Sequence, residues 1–174
     1  MCGRFVTTFD ADMIQRLFDL PDAPEMPTRF NVAPTQPIYA VRVNERGDRE
    51  SVYLRWGLIP SWAKDTSKTT GMINARSETV HEKPSFKAAF KRRRCIVPIT
   101  GFYEWQKHGK TKTPLHITLV SNEPMGFAGI WGTWKGPDGE VVESCTIITT
   151  IPNDLMQPIH DRMPVILTEE AQDI

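Results

Sequence analysis

Three residues far apart in this chain, Cys2, Glu104 and His160, have types suited to chemistry on a carbonyl group. If Met1 is removed, as the small size of Cys2 favours, the chain begins with an α-amine and a thiol on one residue. Unperturbed, these titrate near about 7.7–8.0 and about 8.5, so a usable fraction of each is nucleophilic at neutral pH. An aldehyde meeting this 1,2-aminothiol loses water to form an imine, and the sulfur then closes a five-membered thiazolidine, far less reversible than a Schiff base. Glu104 sits in Gly101-Phe102-Tyr103-Glu104-Trp105, a lone carboxylate among aromatics. Strand alternation puts Phe102 and Glu104 on one face, and the inner face is expected, where desolvation would raise the carboxyl pKa toward neutrality and suit proton transfer. His160 is framed by Pro158 and Pro164, which aims an imidazole suited to proton transfer at neutral pH. The plainer alternative for Cys2 is an inert apolar residue at a frayed start. Against it stand Gly3, which permits close approach, the fixed cation of Arg4, and the strand-like run Phe5-Val6-Thr7, which would tie the terminus down.

The elements that must hold these groups read as mixed α+β, mainly a curled, barrel-like antiparallel sheet with a few short helices. Asp10 caps a helix whose Met13, Ile14, Leu17 and Phe18 share a face before Pro21 stops it. Residues 21–37, with five prolines, read as a long ordered loop around Arg29-Phe30-Asn31-Val32-Ala33-Pro34. A hairpin follows, alternating through Tyr39, Val41 and Val43 and, after Arg46-Gly47-Asp48, through Val52, Leu54 and Trp56. Trp56 reads as core. Trp62, beyond Pro60, is open between core and a stacking surface. From spacing alone Asn74 is a turn or cap residue and Arg76 half of a surface pair with Glu78. Ser85 begins a helix with Phe86, Ala89 and Phe90 as its buried stripe and Lys91-Arg92-Arg93-Arg94 at its C-terminal end, where cations complement the helix dipole. Strands are expected at 94–99, 101–106, 115–120, 127–134 and 141–151, with turns at His108-Gly109 and at 136–139. A short helix is expected from Pro152, an apolar strand over 165–167, and a final helix from Thr168.

Composition sets outer bounds. The chain has 174 residues, 40% of them hydrophobic, and 21 basic against 21 acidic side chains, so net charge gives no general affinity for polyanions. Any nucleic-acid contact must come from local clustering. Three cysteines without CxxC spacing argue against a disulfide framework or a zinc site. No secretory or membrane-spanning pattern is present, which predicts a cytoplasmic protein.

Met-Cys-Gly-Arg-Phe, Asn31-Val32-Ala33-Pro34, Trp56-Gly57-Leu58-Ile59-Pro60, Asn74-Ala75-Arg76-Ser77-Glu78, Phe102-Tyr103-Glu104-Trp105 and His160-Asp161-Arg162-Met163-Pro164, taken together, closely resemble the SOS response-associated peptidase family. The resemblance implies one such domain over 1–174, a sensor of abasic sites in single-stranded DNA that attaches covalently through a thiazolidine. It also implies AP-lyase activity through the Schiff base and a self-processing peptidase activity. Carried over by position, Cys2 crosslinks, Asn74 orients the amine or a sugar hydroxyl, Glu104 transfers protons beside the amine, and His160 promotes opening of the sugar. Arg4 and Arg76 are implied phosphate ligands, and Trp62 and Trp105 part of the surface against which DNA stacks. No cofactor or metal is implied. The partner is single-stranded DNA, with a monomer expected, nucleoid-associated when bound. Relatives continue for several tens of residues past Thr168, so a C-terminal segment of the usual domain is expected to be missing. A basic position before Phe86 in some members is Pro84 here.

Two other readings compete. In one, the Cys2 thiol is an N-terminal nucleophile attacking acyl groups with His160 as base. In the other, the chain is a passive single-strand binding module.

Overall fold

The computed structural model describes residues 2–66 and 72–172. Its core is a ring of five strands: β3 (Pro37–Val43), β4 (Arg49–Trp56), β6 (Arg94–Ile99), β9 (Met125–Lys135) and β10 (Val141–Thr150). The ring closes because β10 pairs in parallel with β4 on one side and antiparallel with β9 on the other. Closure removes the exposed edges that an open sheet would present. The long β9 is central, and it can pass β6 closely because Gly129 has no side chain: a Cβ there would lie 2.9 Å from Cys95 Sγ. Two short strands, β11 (Met163–Pro164) and β12 (Ile166–Leu167), add to β10 and β9, and β5 (Asn74–Arg76) runs parallel to β10.

A second sheet of four antiparallel strands has the order β2 (Arg29–Val32), β1 (Phe5–Thr7), β7 (Gly101–His108), β8 (Thr111–Ile117). Its inner face lies against the ring. Cys2, Phe5, Val32 and Phe102 share one buried cluster with Ile38, Leu54, Trp56, Phe127 and Ile147. Phe5 meets Trp56 at 4.9 Å between ring centroids, and Phe102 meets Phe127 edge-on at 5.5 Å. Burying large aromatics in this way is the main attraction between the sheets.

The first helix, α1 (Ala11–Phe18), is capped by Asp10, whose carboxylate accepts from the Met13 amide at 2.8 Å. It ends at Asp19 in the left-handed conformation, φ 48°, two residues before Pro21. Its buried side, Ile14 and Phe18, packs on Val41 and Ile96. In α2 (Pro84–Arg92) Pro84 occupies the first turn, where its missing N–H costs nothing, so the helix starts one residue before Ser85.

Several expectations need correction. Phe90 is 36% exposed, at the rim of a cavity that it lines with Cys95, Ala128 and Gly129, whereas Phe86 and Ala89 are buried. Lys91 and Arg92 close α2, but Arg94 already belongs to β6. The proline-rich 21–37 segment contains β2, which the Phe5↔Val32 pairing with β1 recruits. Residues 154–159 form consecutive turns and no helix, and the last element is a 3-10 turn, Glu169–Gln172. No helix among the described residues is long and apolar enough to cross a membrane.

Candidate active site

Antiparallel pairing of β1 with β7 brings the start of the chain to Glu104. The Tyr103 amide donates to the Arg4 carbonyl at 2.9 Å and Phe5 faces Phe102, so Gly3 and Cys2 run back along the Glu104 end of β7. Cys2 is wholly buried in the cluster between the two sheets. Its thiol is held well above the usual range, first by burial and then by the negative charge of Glu104. Cys95 and Cys145 are buried too, Cys95 with a thiol pushed up to about 12 by burial. Thiol acidity therefore does not distinguish Cys2. Its surroundings do.

Glu104 is 2% exposed, on the inner face with Phe102, whereas Tyr103 and Trp105 turn outward. The alternation expected from sequence holds. Asn74 arrives from the opposite side: as the first residue of β5, it is held by pairing with Ile147 of β10 and donates through Nδ2 to the Cys2 carbonyl at 3.0 Å. It is a strand residue positioned on the chain terminus, not a turn or cap. Its Oδ1 is buried and has no hydrogen-bond partner among the described residues.

The His160 loop is fastened to the same place. Gln106, which shares a face with Glu104, donates to the Pro158 carbonyl at 3.2 Å, and Met156 and Ile159 pack on the Cys2 cluster. The loop's own turn is fixed by Asn153, whose side chain accepts from the Met156 amide, and by His160 N–H donating to the Met156 carbonyl at 2.9 Å. Nδ1 of His160 lies 3.0 Å from the Arg162 amide and 2.8 Å from Asp161 Oδ1. These contacts call for opposite protonation states. The amide is fixed, whereas the Asp161 side chain is 85% exposed and can turn into solvent. The Arg162 amide can donate only to an unprotonated Nδ1, so this contact fits a ring that carries its proton on Nε2.

Arg162 holds this amide in place. Its guanidinium donates to both Glu78 oxygens at 2.8 and 2.9 Å, and to the Thr149 carbonyl at 2.7 Å. The Thr149 carbonyl also accepts from the Ser77 amide, so β5, β10 and the His160 loop meet at one atom. Glu78 is therefore the partner of Arg162 rather than of Arg76, and the forked bond holds its carboxyl down at about 2. Sequence reasoning missed this anchor, because nothing local marks a bond spanning 84 residues.

Arg76 is exposed at the end of β5, in strand alternation with Asn74. Arg4 is half-buried, its guanidinium donating to the Gly3 carbonyl at 2.8 Å. Trp105 is 37% exposed on β7 next to Glu104. Trp62, 65% exposed, resolves the open alternative against core. It lies elsewhere, in a cleft shared with Ser61, Pro84 and Ser85 at the start of α2, and that cleft includes none of Cys2, Asn74, Glu104 and His160. Met1, whose removal the aminothiol requires, is outside the described residues.

The chain is similar to several known proteins. The model of the family described as SOS response associated peptidase (SRAP) matches residues 1–174. The chain is 47% identical over 177 residues to the abasic site processing protein YoqW of Bacillus subtilis (strain 168), covering 99% of this chain and 78% of that protein. It is 45% identical to the abasic site processing protein YoaM of the same organism, over 99% and 77%. Among solved structures, a protein from Bacteroides thetaiotaomicron superimposes with a TM-score of 0.84 at 29% identity, over 97% of this chain and 79% of that one.

Proposed function

The chain belongs to the SOS response associated peptidase family, and on that premise we propose that it captures abasic sites in single-stranded DNA, forming a thiazolidine through Cys2 once Met1 has been removed. The observation that carries this reading is the convergence of a buried first nucleophile, an inward-facing carboxylate and an anchoring amide at one chain end.

The sugar of an abasic site is mostly a closed hemiacetal. His160 assists opening by hydrogen-bonding through Nε2–H to the ring oxygen as it leaves C1′, while water relays the C1′ hydroxyl proton to that oxygen; the C1′–O bond breaks, the sugar hydroxyl forms and the aldehyde is exposed. The α-amine of Cys2 attacks C1′; a C–N bond forms, the carbonyl oxygen gains a proton from solvent, and Glu104 takes the extra proton from nitrogen. Glu104 then returns that proton to the hydroxyl of the carbinolamine, water leaves, and a protonated imine remains. Sulfur adds to the imine carbon as the S–H proton is released, giving a neutral ring amine. Aldehyde and aminothiol have become thiazolidine and water. The raised thiol supports this order: at neutral pH the sulfur is protonated, so the amine is the first nucleophile. It also disfavours thiolate attack on an acyl group as the opening step.

Lyase activity comes from the same imine, which acidifies C2′ and lets the 3′ phosphate leave. Ring closure removes the imine and shields the strand. The peptidase step is self-processing that exposes Cys2. Asn74 fixes the Cys2 backbone, and Arg4 and Arg76 hold phosphates while Trp105 meets a base. Trp62, on the α2 cleft, contacts DNA farther along. The partner is single-stranded DNA, and the chain acts as a monomeric single domain in the cytoplasm and on the nucleoid.

The test is incubation of the processed protein with a single strand bearing one abasic site, followed by heating in denaturant. An adduct that survives in the wild type and is lost in Cys2→Ala is the expected result. Peptide cleavage without adduct would favour the acyl-transfer reading, and salt-sensitive binding alone the passive module.

A further inference from the structure

The face of the small sheet turned away from the core has a composition that packing does not explain. Alternation along β7 sends Glu104 inward and Gly101, Tyr103, Trp105 and Lys107 outward. Their cross-strand neighbours on β8 share that face: His116 opposite Tyr103, Pro114 opposite Trp105, Lys112 opposite Lys107. The Tyr103 and His116 rings lie 5.0 Å apart with their planes tilted by only 33°, and His116 is exposed. Its seat is the bare backbone of Gly101, where a Cβ would come 2.3 Å from His116 Nε2. The Tyr103 hydroxyl donates to the Phe30 carbonyl on β2 at 3.3 Å, so the phenol reaches across β1, and Phe30 itself is 68% exposed.

Charge on this sheet is equally one-sided. Among the described residues of its four strands the single carboxylate is Glu104, and it faces inward. The cations are Arg29, Lys107 and Lys112, with Arg4 just before β1. In a chain whose charges balance overall, this is a local excess of positive charge, which favours an anionic partner.

We propose that this outer face seats the undamaged single-stranded DNA flanking the reacting sugar, with bases stacked on the Tyr103–His116 pair and Trp105, and phosphates held by Lys107 and Lys112. The inference rests on the reading of Cys2 as the abasic-site nucleophile. The outer face adjoins that site along β7, where Trp105 follows Glu104 directly in the chain but turns to the outer side. Exposed rings favour a single strand over a duplex, since unpaired bases offer their faces to stacking without sequence preference. The platform thus lengthens the hold on the strand while remaining indifferent to sequence.

Two measurements test it together. Fluorescence anisotropy with labelled, undamaged oligothymidine, titrated over a range of salt, compares the wild type with His116→Ala and with the double variant Lys107→Ala/Lys112→Ala. Crosslinking to an abasic oligonucleotide with minimal flanks reports on fold and reaction site. His116→Ala should weaken oligothymidine binding by about five- to tenfold. The lysine variant should lower the slope of log affinity against log salt by about 1.4, at about 0.7 per phosphate contact. Both should crosslink the minimal substrate at the wild-type rate. Unchanged affinity and slope would overturn the proposal, as would an equal loss on the minimal substrate, or duplex bound as tightly as the single strand. A wild type that crosslinks no abasic substrate, while its anisotropy behaves as expected, would remove the Cys2 reading and leave the platform.

Discussion

The side-chain amide of Asn74 donates to the carbonyl oxygen of Cys2 at 3.0 Å, joining β5 to the first described residue of the chain across 72 positions of sequence. A terminus ordinarily frays; this one is fixed on one side by pairing with β7 and on the other by Asn74.

Asn74→Ala should therefore slow crosslinking by about 10²-fold, the scale of a small misplacement of reacting groups, while costing about 1–3 kcal/mol for the lost buried bond. Single-turnover adduct formation and urea denaturation separate the two effects. A rate unchanged beside a lowered denaturation midpoint would assign Asn74 to structure alone.

Cys2→Ser and Cys2→Ala keep the α-amine and lose the sulfur. Each should yield an imine that cyanoborohydride traps and heat destroys, and no heat-stable adduct, because an oxazolidine is the weaker ring. Stable adduct from Cys2→Ser at wild-type yield would count against the thiol. A variant that retains Met1 should form none.

Glu104→Gln conserves shape and removes the proton acceptor. Adduct formation should fall by about 10²–10⁴-fold. The charge of Glu104 is one of the causes that hold the Cys2 thiol protonated, so the variant thiol should also titrate lower than in the wild type, though burial keeps it above an ordinary cysteine. Alkylation rate against pH, read by mass at Cys2, checks the direction.

Glu78 has a folded pKa of about 2, below its ordinary 4.5, because Arg162 binds the charged form. A carboxyl depressed in this way stabilises the fold above its unfolded pKa, and the contribution is lost as pH falls from about 4.5 toward 2. Glu78→Gln should flatten the urea midpoint against pH across that window. At neutral pH it should also loosen the loop that presents His160, lowering the adduct rate without weakening binding of undamaged single strand.

The neutral tautomer of His160 should be the one protonated at Nε2, since the fixed Arg162 amide faces Nδ1 at 3.0 Å. Nitrogen chemical shifts of the labelled imidazole distinguish the tautomers. An Nδ1-protonated ring would remove His160 as the donor to the sugar oxygen.

Sequence alone determined the strands whose side chains alternate and the residues whose chemistry is carried on one position. The inward turn of Glu104 was legible because a period of two fixes which neighbours share a face, and the Asp10 cap because its bond spans three residues. The aminothiol needed no partner to be recognised. Only the tertiary structure decided what depends on contacts between distant segments. Residues 29–32 become a strand because β1 offers an edge, Phe90 stays partly open at the rim of a cavity beside β6 and β9, and Glu78 belongs to Arg162 because β5, β10 and the His160 loop meet at the Thr149 carbonyl. Local order is written in spacing, whereas pairing across the fold follows from which surfaces are left to bury once local order has formed, and a linear pattern does not record that.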